Sequence, residues 1–250
     1  MGIRMFQLKR TVCSSMTDRH GRLKLFSAVQ LMQDCSEFWK TSQPGFKKCL
    51  EENGAAQLLV YRQLEILRVP SLYEELTCTT WVFDCKGSNG FRNTIICDAA
   101  GRPCYVSWSQ GAFVNMTSGR LFRIPLDVME QLRFAPRYEM DYQPRKIALP
   151  CVPEVTLPGI SVQRNDIDYN QHVNNAQYIR MALEFLPGGF EIAGMRVEYR
   201  RAVRLGARLQ AAMQEDGERL WVILRENGET CCVIEFTRAL QENNAGWFAW

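Results

Sequence analysis

The segment "AVQLMQDCSEFW" (28–39) superposes without gaps on "NAQYIRMALEFL" (175–186), and this internal repeat constrains the fold more than any other feature of the chain. Gln30, Glu37 and Phe38 meet Gln177, Glu184 and Phe185. The apolar positions coincide as well: Leu31, Met32, Cys35, Phe38 and Trp39 fall on Tyr178, Ile179, Ala182, Phe185 and Leu186. The spacing i, i+1, i+4, i+7, i+8 is that of a helix burying one broad face. Beyond each helix the chain is β-rich in the same way. "RQLEILRVP" (62–70) answers to "MRVEYRRAV" (195–203), and later runs in both halves are joined at "AAGR" and "ENGE", which read as hairpin turns.

Between the two copies the chain changes character. Six of its ten prolines lie from Pro125 to Pro158. Proline fixes φ, lacks an N–H and restricts its predecessor, so this stretch is neither a long helix nor a central strand. The predicted organisation is a first half over 1–135, a Pro-rich linker over 136–159 and a second half over 160–250. Each half is one long central helix followed by antiparallel strands. A helix wrapped by a curved antiparallel sheet is a hotdog, so the predicted class is α+β, a tandem double hotdog.

Composition matters mainly for what it excludes. A net charge of +3 gives no reason to expect a polyanion, so no nucleic-acid partner is predicted. No apolar run approaches the roughly 18 residues of a membrane span, and no membrane association is expected. The N-terminus "MGIRMFQLKR" lacks the apolar core of a secretory signal and the form of a transit peptide. The ten cysteines are scattered without a C-x-x-C pair and read as reduced thiols of a cytoplasmic protein. Vicinal Cys231 and Cys232 sit in a strand-like run that sends them to opposite faces. Two distant histidines argue against a metal site, and no Gly-rich phosphate loop or G-x-S-x-G elbow is present, so no cofactor is expected.

The polar run "DIDYNQHVNN" (166–175) leads directly into the second helix. Two readings of its residues stay open. Asn174 or Asn175 can cap the helix, with an Asx-turn before it, and the run then has no chemical role. Alternatively, Asp168, Asn170 and His172 at i, i+2 and i+4 share one side of an extended segment. They would then face the amide end of the helix, where a developing oxyanion is stabilised.

The longer run "NDIDYNQHVNNAQYIRMALEFLP" resembles the D-x-N-x-H-V-N-N segment of plant and bacterial acyl-ACP thioesterases. The resemblance extends to "VYRQLEILRVPSLYEELTCTTWV", "GRPCYVSWSQGAFVNMTSGRLFRIP" and "EYRRAV", and so covers nearly the whole chain. It implies a double-hotdog hydrolase that releases fatty acid from acyl carrier protein and ends chain elongation. The absence of a transit peptide points to a bacterial member. The resemblance assigns Asp168, Asn170 and His172 to the catalytic group, with Asp168 and His172 managing the proton and water and Asn170 positioning.

One departure is serious. The family commonly reads "EYRREC", whose Glu and Cys both have proposed catalytic parts, but this chain has Ala202 and Val203 there. A cysteine nucleophile at that position is excluded, and Glu198 is the nearest substitute carboxylate in sequence. An acyl-CoA thioesterase of the same fold and a non-catalytic acyl-binding relative are the competing readings. Carried back through the helix overlay, positions 168, 170 and 172 fall on Gly21, Leu23 and Leu25, which predicts a single site in the second half. The first half is then free to shape an acyl tunnel, to which Leu31, Met32, Cys35 and Trp81 can contribute. Arg196, Arg200, Arg201, Arg204 and Arg208 form a basic cluster, either a solvated face or a surface for the acidic carrier protein. Monomer and homodimer are both compatible with this organisation.

Overall fold

The computed structural model describes residues 4–239, so the outermost parts of the two predicted halves, 1–3 and 240–250, lie outside it. In chain order the elements are β1 (Phe6–Thr11), α1 (Leu25–Thr41), α2 (Pro44–Glu52), β2 (Ala55–Ile66), β3 (Glu75–Lys86), β4 (Asn89–Asp98), β5 (Pro103–Asn115) and a short α3 (Leu126–Met129). There follow β6 (Val155–Ser161), α4 (Asn175–Leu183), β7 (Ile192–Tyr199), β8 (Arg208–Glu215), β9 (Arg219–Glu226) and β10 (Glu229–Arg238).

All ten strands form one antiparallel sheet in the order β1-β3-β4-β5-β2-β7-β10-β9-β8-β6. The order reads the same from either edge once each strand is matched with its counterpart, so the sheet has an approximate twofold centred on β2 and β7. Those are the two strands that the sequence overlay matched. They pair with each other, Gln63 opposite Arg196 and Leu64 opposite Met195. The two hairpin turns are present: Gly101 joins β4 to β5 with φ 79°, and Asn227-Gly228 joins β9 to β10 with φ 52° and 82°. Two consecutive positive φ values make the tight turn whose twist suits a hairpin.

Helices α1 and α4 pack together on one face of the sheet, and a single core runs through both halves. Leu31, Met32 and Cys35 of α1 and Tyr178, Ile179 and Ala182 of α4 are all buried in it. The second helix ends at Leu183, shorter than its predicted span, with Pro187 close behind. Two strands that the sequence reading omitted, β1 and β6, precede the helices at the sheet edges. Their burial is mostly shallow, which weakens any apolar signal. Cys231 and Cys232, expected on opposite faces, both enter the inner core, because the β9–β10 ladder is irregular between Thr230 and Cys232.

Residues 130–154 contain neither helix nor strand, yet they are not a loose connection. They form a strap laid across the other face of the sheet. Trp81 Nε1 donates to Pro136 O at 2.8 Å, the Gln143 amide to Gln63 Oε1 at 2.9 Å, and Arg196 to Pro144 O at 2.7 Å. Ile147 of the strap closes over Tyr61, Trp108 and Trp221 on the strands beneath. A sheet covered on both sides needs apolar residues on both sides, and this explains the nearly continuous apolar run of β9, "RLWVILRE". No helix among the described residues is long and apolar enough to cross a membrane.

Candidate active site

The loop from Asp168 to Val173 is a tight turn and not the extended segment expected. The Asp168 amide donates to His172 O at 2.9 Å and the Gln171 amide to Asp168 O at 3.0 Å, while Ile167 and Val173 pair across the base. Asp168 Oδ1 accepts the Asn170 amide at 2.8 Å, an Asx-turn, and Gln171 takes a left-handed φ of 62°. The structural reading of the run is thus present. Even so, the compact turn brings Asp168, Asn170 and His172, all half-buried, to the wall of one cleft of about 230 Å³.

Asn174 is the helix cap: its side chain accepts the Ala176 amide at 2.9 Å. Asn175, the first residue of α4, also lines the cleft, so the positive end of that helix is presented to it. The Tyr199 hydroxyl donates to Asn175 O at 3.1 Å and fixes the helix start against β7. Asp166 plays a supporting part. It is buried, paired with Arg180 at 2.8 Å, and holds the Gln163 amide at 2.8 Å.

Ala202 lines the cleft with nothing but a methyl group, and Val203 is fully buried in the core. Glu198 does not replace them. Its carboxylate turns to the strap side, where it accepts the Ile147 amide at 3.1 Å and pairs with Arg200 at 2.8 Å. The acid that does face the cleft, besides Asp168, is Glu37 of α1. It belongs to a polar stripe, Gln33, Ser36, Glu37 and Lys40, beside the buried stripe of the same helix. Helical spacing of four polar residues on a helix that a sheet must wrap was the available signal for a cleft wall.

The expected tunnel residues are core. Leu31, Met32, Cys35 and Trp81 are buried and none lines the cleft; Trp81 packs under the strap. The cleft instead runs below the first half's sheet, where Arg62, Ser109 and Arg92 form a cross-strand row. Both guanidiniums are buried and neither has a carboxylate in ion-pair range among the described residues. Arg62 leans on Met32 Sδ at 3.2 Å; Arg92 bonds Thr80 Oγ1 at 3.2 Å and lies over the Trp39 ring. Burial lowers both, Arg92 to about 10. Gly90 and Gly111 face each other on the adjacent row, and a Cβ on Gly111 would come within 2.6 Å of the Gln57 side chain, which fills that space.

The basic cluster is divided. Arg196 is held under the strap by Glu235 and the Tyr61 hydroxyl, while Arg200 and Arg201 stand at the cleft. Arg201 is paired with Glu229.

The fold and the cleft define a class first: a helix-and-sheet unit repeated in tandem, with a polar cleft between the helices and the sheet, is a double hotdog. A sequence profile of the acyl-ACP thioesterase C-terminal domain matches residues 152–238. The chloroplastic acyl-[acyl-carrier-protein] hydrolase FATB3 of Cuphea viscosissima is 31% identical over 165 residues, 62% of this chain and 40% of that protein. The chloroplastic dodecanoyl-[acyl-carrier-protein] hydrolase of Cinnamomum camphora is 27% identical over 69% of this chain and 48% of its own. The chain therefore spans less than half the length of these relatives. Among solved structures, an acyl-ACP thioesterase from Bacteroides thetaiotaomicron matches with a TM-score of 0.83 at 20% identity, covering 94% of this chain and 98% of that one. The 12:0-ACP thioesterase of Umbellularia californica matches at 0.84 and 18%, covering 96% and 98%. At those identities the structural matches establish the fold. Residues 152–238 thus match the C-terminal domain of acyl-ACP thioesterases, and the chain shares the fold of the solved ones.

Proposed function

We propose that this protein hydrolyses the thioester of fatty acyl-acyl carrier protein and releases the free acid. The observation that carries this reading is the joint placement of Asp168, Asn170 and His172 on the wall of one cleft, beside the start of α4. His172 and Asp168 handle the water and its proton, and Asn170 positions the carbonyl or the water. The amide end of α4 favours the oxyanion that forms when water adds. On this reading residues 160–250 carry the catalytic groups, residues 1–135 shape the acyl site, and 136–159 connect them.

The acidic carrier protein is the proposed partner, received at the cleft mouth by Lys40, Arg200 and Arg201. Ten free cysteines support a reducing compartment, and the bacterial cytoplasm is the proposed one. One specific observation favours a second reading. Ala202 and Val203 leave that wall of the cleft without a reactive group, as in an acyl-binding relative that does not turn over.

Free acid released from a panel of acyl-ACPs and acyl-CoAs distinguishes these readings. Turnover of acyl-ACP that falls in His172→Ala and Asp168→Asn is the expected result. Hydrolysis of CoA esters alone moves the substrate assignment, and binding without turnover establishes the second reading.

A further inference from the structure

We infer that Glu37, contributed by the helix of the first half, is the second carboxylate of this site and takes the proton from the attacking water. This deepens the proposed function and rests on it: Asp168 and His172 hold the water and pass its proton on to the leaving sulfur, and Glu37 is the group that first accepts it.

Hydrolysis needs a group that removes a proton as water adds, and residue 202 offers only a methyl group. Two acids line the cleft, Asp168 and Glu37. Asp168 is committed in part to its own loop, since Oδ1 holds the Asn170 amide. Glu37 is anchored from two sides through one oxygen. Its Oε2 accepts the Tyr169 hydroxyl at 3.1 Å and pairs with Lys40 Nζ at 2.7 Å. Oε1 has no bond within the protein among the described residues, and an anchored carboxylate with one free oxygen is what a general base requires. Tyr169 lies between Asp168 and Asn170 in sequence, so its bond to Glu37 brings the α1 carboxylate to the catalytic loop. The charge is felt on both sides of the cleft. It helps to raise the Tyr169 hydroxyl, after burial, and it works against the burial that lowers Arg92.

The step balances without any co-reactant. Water oxygen bonds to the thioester carbon as one of its protons passes to Glu37 Oε1, and the carbonyl π pair moves onto its oxygen. Collapse of that oxyanion restores the carbonyl and breaks the C–S bond. The sulfur leaves with the bond pair and receives a proton from His172, and the proton on Glu37 returns to the site through the imidazole. The products are the acid and the carrier thiol.

The test uses the full chain, acyl-ACP as substrate, and a non-hydrolysable amide analogue of acyl-ACP to measure binding. Glu37→Gln keeps the shape of the side chain and its bond with Tyr169. It is expected to lower kcat by about 100-fold, with KM and analogue binding changed less than about threefold. Ala202→Glu added to Glu37→Gln is expected to recover at least about tenfold, because it restores a carboxylate to the cleft lining. Circular dichroism and the melting temperature of Glu37→Gln establish that the variant is folded. Turnover that depends on His172 but is unchanged in folded Glu37→Gln overturns this inference and leaves the proposed function standing. A wild-type chain that turns over no acyl thioester overturns both.

Discussion

Each half of the molecule carries the same loop before its helix, and only one of the two faces the cleft. In the first, the Asp18 amide donates to Arg22 O at 2.8 Å, Asp18 Oδ1 accepts the His20 amide at 2.8 Å, and Gly21 has φ 71°. In the second, Asp168, His172, Asn170 and Gln171 repeat every one of those features. The bridges Thr17–Leu23 and Ile167–Val173 match as well. The residue four places after the aspartate is different. Arg22 returns to its own aspartate through both its amide and its guanidinium, at 3.0 and 3.4 Å. Burial acts to raise the Asp18 carboxyl, but the Arg22 and His20 amides and the Arg22 charge outweigh it and hold it low. The loop is thereby closed on itself. With His172 in that place, no lysine or arginine pairs with Asp168 among the described residues. The frame is structural in both copies, and on the proposed function the chemistry depends on what its fourth residue leaves free.

The sheet repeats the contrast. The first half's row Arg62–Ser109–Arg92 corresponds to Met195–Phe236–Leu220 in the second, which are fully buried apolar residues. An apolar row closes into core, whereas a polar row keeps a cleft open beneath it. The cleft is therefore walled across the repeat, by the loop of one copy and the sheet row of the other.

The difference between the copies can be undone in graded steps. The largest effect is expected from giving the second loop the first loop's residue. His172→Arg lowers acyl-ACP turnover by about 100-fold or more, and adding Arg22→His does not restore it; assay of free acid decides. Next, Arg62→Met copies the second half's row and removes a buried charge that has no carboxylate partner among the described residues. It is expected to raise unfolding stability by about 1–3 kcal/mol in urea melts, and a fall would mean that the guanidinium is better satisfied than the structure shows. Smaller again is the exchange at the left-handed position. Gly21→Ala is expected to destabilise by about 1 kcal/mol, while Gln171→Gly relieves up to about the same strain, both read from denaturation midpoints.

The smallest expected effect is electrostatic. Arg68 hydrogen bonds hold Glu74 below its ordinary 4.5, against opposing burial. A depressed carboxyl stabilises the fold above 4.5, and that contribution is lost as pH falls below it through the folded value. Because the pair is partly exposed, removing it in Arg68→Met should flatten the acid limb of stability by no more than about 1 kcal/mol.

The same contrast marks how far the sequence alone could reach. The helix stripes of α1 and α4 revealed the repeat, but the overlay was three residues out of register for the loops. The caps Lys24 and Asn174 and the paired bridges align Asp18 with Asp168, His20 with Asn170 and Arg22 with His172. The first loop, which the stripe aligned at Gly21, Leu23 and Leu25, therefore does keep an acid and an imidazole. A helix repeats its apolar face every three to four residues, so a stripe cannot distinguish registers three apart; the caps and turns can. The residues Asp168, Asn170 and His172 were legible because they lie together in the chain. Glu37 was not, since only the packing of α1 against α4 brings it to their loop. The strap was legible as proline and not as a cover, because what it covers lies on strands far away in sequence.

If one of two equivalent loops does the chemistry, matched substitutions must separate them. Asp168→Asn and Asp18→Asn, assayed for acid release from acyl-ACP with melting temperatures measured alongside, make that separation in a single experiment. About a 100-fold loss of kcat is expected in Asp168→Asn. Turnover within about twofold of wild type, with a lower melting temperature, is expected in Asp18→Asn. Equal losses in the two variants, or a larger loss in Asp18→Asn, would refute the assignment of the chemistry to the second loop.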